Sequence, residues 1–109
     1  MIYIGTPYSH PDPKVVEDRY NFIANYCAEE VSKGLVVFSP IVYGHNLIKF
    51  KEMPGDYIFW QNFCIQFLKL SVELHVLMME GWEKSNGLKE EIRVAKELFM
   101  NIKYIEIKK

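Results

Sequence analysis

The chain has 109 residues, half of them apolar, 15% aromatic and 25% charged. That is enough for one hydrophobic core, and too apolar and aromatic for a disordered or low-complexity chain. Thirteen Lys and Arg against fourteen Asp and Glu leave a net charge of -1, which argues against a nucleic-acid polymer or a membrane surface as partner.

Met1 to Ile4 reads as a first strand, stopped by Gly5-Thr6-Pro7. A loop with two prolines follows, and Asp12-Pro13 starts a helix, because the carboxylate caps and Pro fits the first turn. Val16, Tyr20, Ile23, Cys27 and Val31 recur at helical spacing until Lys33-Gly34. Leu35 to Phe38 is a short all-apolar run and predicts a strand buried on both faces, stopped by Ser39-Pro40. The stretch from Ile41 to Gly55 is irregular, with a short helix expected around Leu47 to Phe50.

Asp56 caps a second long helix, Tyr57 to about Leu70, with an apolar stripe of Phe59, Phe63, Phe67 and Leu70 widened by Trp60 and Cys64. Val72 to Met79 predicts a central strand. Glu80 to Gly87 is a polar loop, Leu88 to Met100 a third long helix, and Ile102 to Ile107 an edge strand with charges on its outer side. The order β-α-β-α-β-α-β predicts a single domain over 1–109. Its class is a three-layer α/β/α sandwich with a mostly parallel sheet of four or five strands, Rossmann-like or flavodoxin-like. Ligands in such folds sit at the carboxyl ends of the strands. The candidate segments are therefore Gly5 to His10, Ser39 to Asn46 and Glu80 to Gly87.

The third long helix carries the most informative pattern. On a wheel, Leu88, Ile92, Ala95, Leu98 and Phe99 share one arc, and Glu91 falls inside it, whereas Glu90 falls opposite with Arg93 and Glu97. A carboxylate aimed at a core needs a reason. Glu91 either satisfies backbone donors near the helix N-terminus or faces a ligand cleft. Ser85-Asn86-Gly87 just before it either caps the helix or presents N–H groups to a phosphate. In the first loop, Gly5 lets a ligand approach, Tyr8 offers a stacking ring, and Ser9 and Thr6 offer hydroxyls. No GxGxxG motif is present.

His45 lies in a candidate ligand segment, and His75 reads as a hydrogen-bonded core residue. His10, His45 and His75 share no metal-ligand spacing with one another or with the cysteines, so no metal site is expected. Trp60 and Trp82 read as core or cleft-wall residues. Cys27 and Cys64 have no CxxC partner and read as buried free thiols in a reducing compartment. The start, Met1 to Gly5, lacks the charged and apolar regions of a signal peptide, and a cytoplasmic location is expected.

These segments resemble the nucleoside 2-deoxyribosyltransferase family and its relatives that hydrolyse deoxynucleoside 5'-monophosphates. Tyr3-Ile4-Gly5-Thr6-Pro7-Tyr8 is similar to that family's first strand and base-binding turn. The segment from Ser85 to Ala95 is similar to its G-x-x-x-E-[IL]-x-x-A segment, which selects Glu91 as nucleophile. The resemblance implies cleavage of an N-glycosidic bond, by hydrolysis or base exchange, through a glycosyl-enzyme ester. Gly5, Pro7, Tyr8, Ser9, His45, Trp82, Ser85, Asn86 and Gly87 would contact substrate, and no cofactor would be required. Ser85, two residues before the motif glycine, tilts the implied substrate toward 5'-monophosphates. The resemblance also implies a homodimer or larger homo-oligomer. It implies an acid from the middle helix as well, but that region here reads Trp60-Gln61-Asn62. The amide favours the alternative of a non-catalytic nucleotide-binding protein, a sensor or a sequestering protein.

Overall fold

A computed structural model describes residues 1–107, so Lys108 and Lys109 of the expected domain lie outside the described residues. The elements run β1 (Ile2–Gly5), α1 (Pro13–Ser32), β2 (Val37–Phe38), α2 (Pro40–Leu47), α3 (Tyr57–Lys69), β3 (Glu73–Met78), a 3₁₀ turn (Trp82–Lys84), α4 (Asn86–Glu97) and β4 (Asn101–Glu106). The four strands form one all-parallel sheet in the order β2-β1-β3-β4. Tyr3 pairs with Phe38 on one side and Leu74 on the other.

Side-chain alternation along the strands splits the core into two layers. Tyr3, Leu74 and Val76 face Cys64 and Leu68 of α3 and Leu88, Val94 and Ala95 of α4. Ile4, Leu77 and Met79 face Ile23 of α1, with Ile41 and Val42 of α2 packed beside them. The result is the expected three-layer α/β/α sandwich. Crossovers leave β1 and β3 toward opposite sides, so the loops after these adjacent strands diverge and open a crevice at the topological switch point.

Each helix begins on a side-chain cap. Asp12 accepts from the Lys14 amide at 2.9 Å, Asp56 from that of Phe59 at 3.0 Å, and Ser39 and Ser85 from those of Val42 and Leu88, each at 3.2 Å. Ser39-Pro40 therefore starts α2 instead of merely stopping a strand, and the helix expected around Leu47 to Phe50 lies earlier, at Pro40–Leu47. The signal is the one that opens α1: a capping side chain followed by Pro at the first helical position.

Three further expectations change. The second strand is not buried on both faces. It sits at the sheet edge, only Val37 and Phe38 pair, and Leu35 and Val36 are exposed. On α3 the buried positions are Cys64 and Leu68, while Phe59 and Leu70 face solvent. α4 ends at Glu97, so Leu98 and Phe99 leave the wheel that placed them inward, and Val94 takes the core position. Phe99 adopts a left-handed φ of 55° at that end.

Candidate active site

The crevice contains a cavity of about 480 Å³. Its floor and walls come from the β1 loop, α2, the start of α3 and the start of α4. Gly44 on α2 lets the helix lie against the Trp60 ring, where a Cβ would sit 3.4 Å from it. The Trp60 indole donates to the Pro54 carbonyl at 2.9 Å, which fixes this wall.

Glu91 lines the cavity yet is only 4% exposed. Because α4 begins at Asn86, Glu91 lies in its second turn, beyond the free amides of the helix start. Its partner is a side chain: the Tyr3 hydroxyl donates to Oε2 at 2.5 Å. Burial raises the Glu91 pKa to about 8, against the lowering effect of the Tyr3 hydrogen bond. Glu90, its neighbour in sequence, instead pairs with Arg93 on the solvent side. The two glutamates thus separate as the wheel predicts.

Cys64 of α3 lies close to this pair. Its thiol is pushed up to about 12 by burial and then by the Glu91 charge. Gln61 and Asn62, where the resemblance implies an acid, face solvent. A second carboxylate does line the cavity, from Asp56, and it is engaged as the α3 cap.

Tyr8, Ser9, His45, Ser85, Asn86 and Gly87 all line the cavity with Glu91. The Ser85 hydroxyl and carbonyl take the amides of Leu88 and Lys89, leaving those of Asn86 and Gly87 without an acceptor among the described residues. His45 sits in the last turn of α2, with Nδ1 2.7 Å from the Tyr8 hydroxyl and Nε2 3.4 Å from Glu17. Its ring stacks on Tyr20, with centroids 3.9 Å apart. Burial lowers its pKa, so the neutral ring accepts from Tyr8 and donates to Glu17.

Gly5, Pro7 and Trp82 stand differently. A Cβ on Gly5 would lie 3.6 Å from Glu91 Oε1, so Gly5 makes room behind the carboxyl. Pro7 borders a second cavity behind the loop, beside Arg19. Trp82 lines neither cavity and packs against Tyr104. His75 is half-buried on β3 and bonds to Glu73 at 3.2 Å. Cys64 is buried and Cys27 half-buried, both as free thiols.

A family model matches residues 1–106 of this sequence. The chain belongs to DUF1937, described as a domain of unknown function. No curated protein matches this DUF1937 chain. In it no helix among the described residues is long and apolar enough to cross a membrane. Sequence reasoning assigns no site role to Tyr3, Asp56, Tyr57 or Cys64, and only a spare hydroxyl to Thr6, yet all five border the Glu91 carboxyl or its cavity. Tyr57 stands in plain view beside its cap Asp56, and Tyr3 in the segment that reads as a strand.

Proposed function

We propose that this protein cleaves the N-glycosidic bond of a nucleoside or its 5'-monophosphate, with Glu91 as nucleophile. The observation that carries the reading is a buried carboxyl, held by Tyr3, that lines a cavity large enough for a nucleotide. A core glutamate without a task is costly, and this one borders open space. The resemblance of the Ser85 to Ala95 segment to the deoxyribosyltransferase motif selects the same residue.

In this reading a Glu91 oxygen forms a bond to C1' as the C1'–N bond breaks. The electron pair leaves with the base, which takes a proton from water. Water then attacks C1' and releases the carboxylate, or a second base takes its place. Negative charge beside C1' also stabilises an oxocarbenium-like transition state. The Asn86 and Gly87 amides would take the 5'-phosphate at the start of α4. Gly87 precedes Glu91 by four residues of helix, about 6 Å of rise, comparable with the reach from C1' of a pentose to its 5'-phosphate.

The test is a panel of nucleoside 5'-monophosphates and nucleosides, with free base measured by chromatography. Base release lost in Glu91→Gln and kept in Glu90→Gln supports the reading. No release from any member of the panel overturns it.

One observation favours the alternative of a nucleotide-binding protein without turnover. A carboxyl with a pKa near 8 carries a proton at neutral pH, and its α3 neighbour is the Cys64 thiol instead of a second acid. Tight nucleotide binding without base release at any pH from 6 to about 9.5, a range that brackets the buried carboxyl's titration, selects that reading.

A further inference from the structure

Two buried side-chain hydroxyls have no hydrogen-bond partner among the described residues: Thr6 Oγ1 and Tyr57 Oη. Two other hydroxyls around the crevice are engaged, that of Tyr8 with His45 and that of Ser85 with the Leu88 amide, and that of Ser9 belongs to an exposed residue. Thr6 is 5% exposed, and both residues line the Glu91 cavity. Burying a hydroxyl without a partner is unfavourable, and native proteins hold few such groups. Two in one cavity point to a polar ligand that satisfies both.

Their positions relative to Glu91 narrow the ligand. Thr6 follows Gly5, where a Cβ would be 3.6 Å from Glu91 Oε1. Tyr57 lies over Gly87, where a Cβ would be 2.7 Å from its ring, one helical turn before Glu91. The Glu91 charge is also among the causes that hold the Tyr57 hydroxyl in its protonated form, after burial itself. Thr6 and Tyr57 thus line the cavity that Glu91 lines from two different elements, the end of β1 and the start of α3.

Stereochemistry then decides which part of a ligand they meet. In a β-nucleoside the base projects from one face of the sugar. An attacking carboxylate approaches C1' from the other face, and in ribose the 2'- and 3'-hydroxyls project from that same face. Groups that flank the nucleophile therefore meet those two hydroxyls. We infer that the pentose seated at Glu91 is ribose, not 2-deoxyribose, with its 2'- and 3'-hydroxyls held by Thr6 and Tyr57. This rests on the glycosidic reading for the placement of C1' at Glu91, and goes beyond it in naming the sugar.

The experiment titrates the protein with ribose 5-phosphate and with 2-deoxyribose 5-phosphate, followed by NMR. Ribose 5-phosphate binds more tightly, by about three- to tenfold for the additional hydrogen bond. Thr6→Val and Tyr57→Phe each weaken ribose 5-phosphate by a similar factor, and Thr6→Ser, which keeps the hydroxyl, retains binding. Thermal melts of Thr6→Val and Tyr57→Phe stay level or rise, because neither hydroxyl has an internal partner to lose. Equal affinity for the two sugars, unchanged affinity in both variants, or no binding of either sugar phosphate overturns the inference. Parallel base-release assays separate this from the glycosidic reading. Glu91-dependent release from deoxynucleotides at least as fast as from ribonucleotides keeps that reading and overturns the ribose subsite. Ribose 5-phosphate binding that depends on Thr6 and Tyr57, with no base release from any nucleotide, supports the subsite and removes the glycosidase.

Discussion

The Tyr3 hydroxyl donates to Glu91 Oε2 across 2.5 Å, joining the first strand to the fourth helix over 88 positions of sequence. The bond sets both the direction and the charge of the carboxyl. It favours the ionised form, while burial favours the protonated one and prevails, leaving the pKa at about 8.

A nucleophilic role for Glu91 therefore has a pH signature. The value of kcat/KM for base release reports groups of the free enzyme, so it rises with pH through an apparent pKa near 8. Tyr3→Phe removes the one interaction that lowers this pKa, and the rise moves to higher pH. At a pH below the pKa, raising that pKa by about one costs about a tenfold loss of ionised carboxyl. Rates of Tyr3→Phe at pH 7 consequently fall by about tenfold or more and recover in part near the top of the range. A profile that falls with pH would instead assign Glu91 the role of an acid.

The same group sets how stability depends on pH. An unfolded glutamate titrates near 4.5 and the folded one near 8, so between these values the folded state holds a proton that the unfolded state does not. Stability from this group is full below 4.5 and is lost as pH rises through about 8. The slope is at most about 1.4 kcal/mol per pH unit. Glu91→Gln, which stays neutral and still accepts from Tyr3, loses that slope. Chemical denaturation at pH 6 and pH 9 then finds the variant more stable relative to the parent at pH 9.

Which of these features the sequence reveals follows from their physical origin. Glu91 is legible because a charge inside an apolar arc violates helical periodicity, and Ser85 because a cap is a local event. α2 is obscured because Ser39-Pro40 both ends a strand and opens a helix, and only the register of Val37 and Phe38 tells that both occur. Leu35 and Val36 look like a buried strand because an apolar run carries no sign of whether a neighbouring strand covers it. Tyr3 is hidden for a different reason. Strand alternation says that it faces one layer, but not which helix residue meets it. The unpartnered state of Thr6 and Tyr57 is a property of the whole assembled cavity, so no window of sequence contains it.

Gly5 tests how tightly the carboxyl is packed from behind. An added Cβ would lie 2.8 Å from Leu88 Cδ1 and 3.1 Å from Leu74 Cδ1, and both leucines are buried with little room to yield. Gly5→Ala accordingly destabilises by about 1–3 kcal/mol through overpacking, read as a lower denaturant midpoint. Leu88 precedes Glu91 by three residues on the buried face of α4. The strain therefore also displaces the carboxyl, and base release falls by more than the folded fraction alone explains. A neutral Gly5→Ala would show that α4 can slide away from β1.

Phe99 offers a gain in stability away from the cavity. It ends α4 with φ at 55°, its side chain is 95% exposed, and the Met100 amide closes on the Ala95 carbonyl at 2.9 Å in the usual helix-ending pattern. Glycine is the residue suited to this position, because a Cβ in the left-handed region crowds the backbone by about 1–2 kcal/mol. Part of that gain is offset by the greater freedom of glycine in the unfolded chain. Since Phe99 makes little burial to lose, Phe99→Gly raises stability by about 1 kcal/mol. A melting temperature that drops instead would mean that the ring is covered in solution, as by a second copy of the chain, and a concentration-dependent melt of the parent would identify that case.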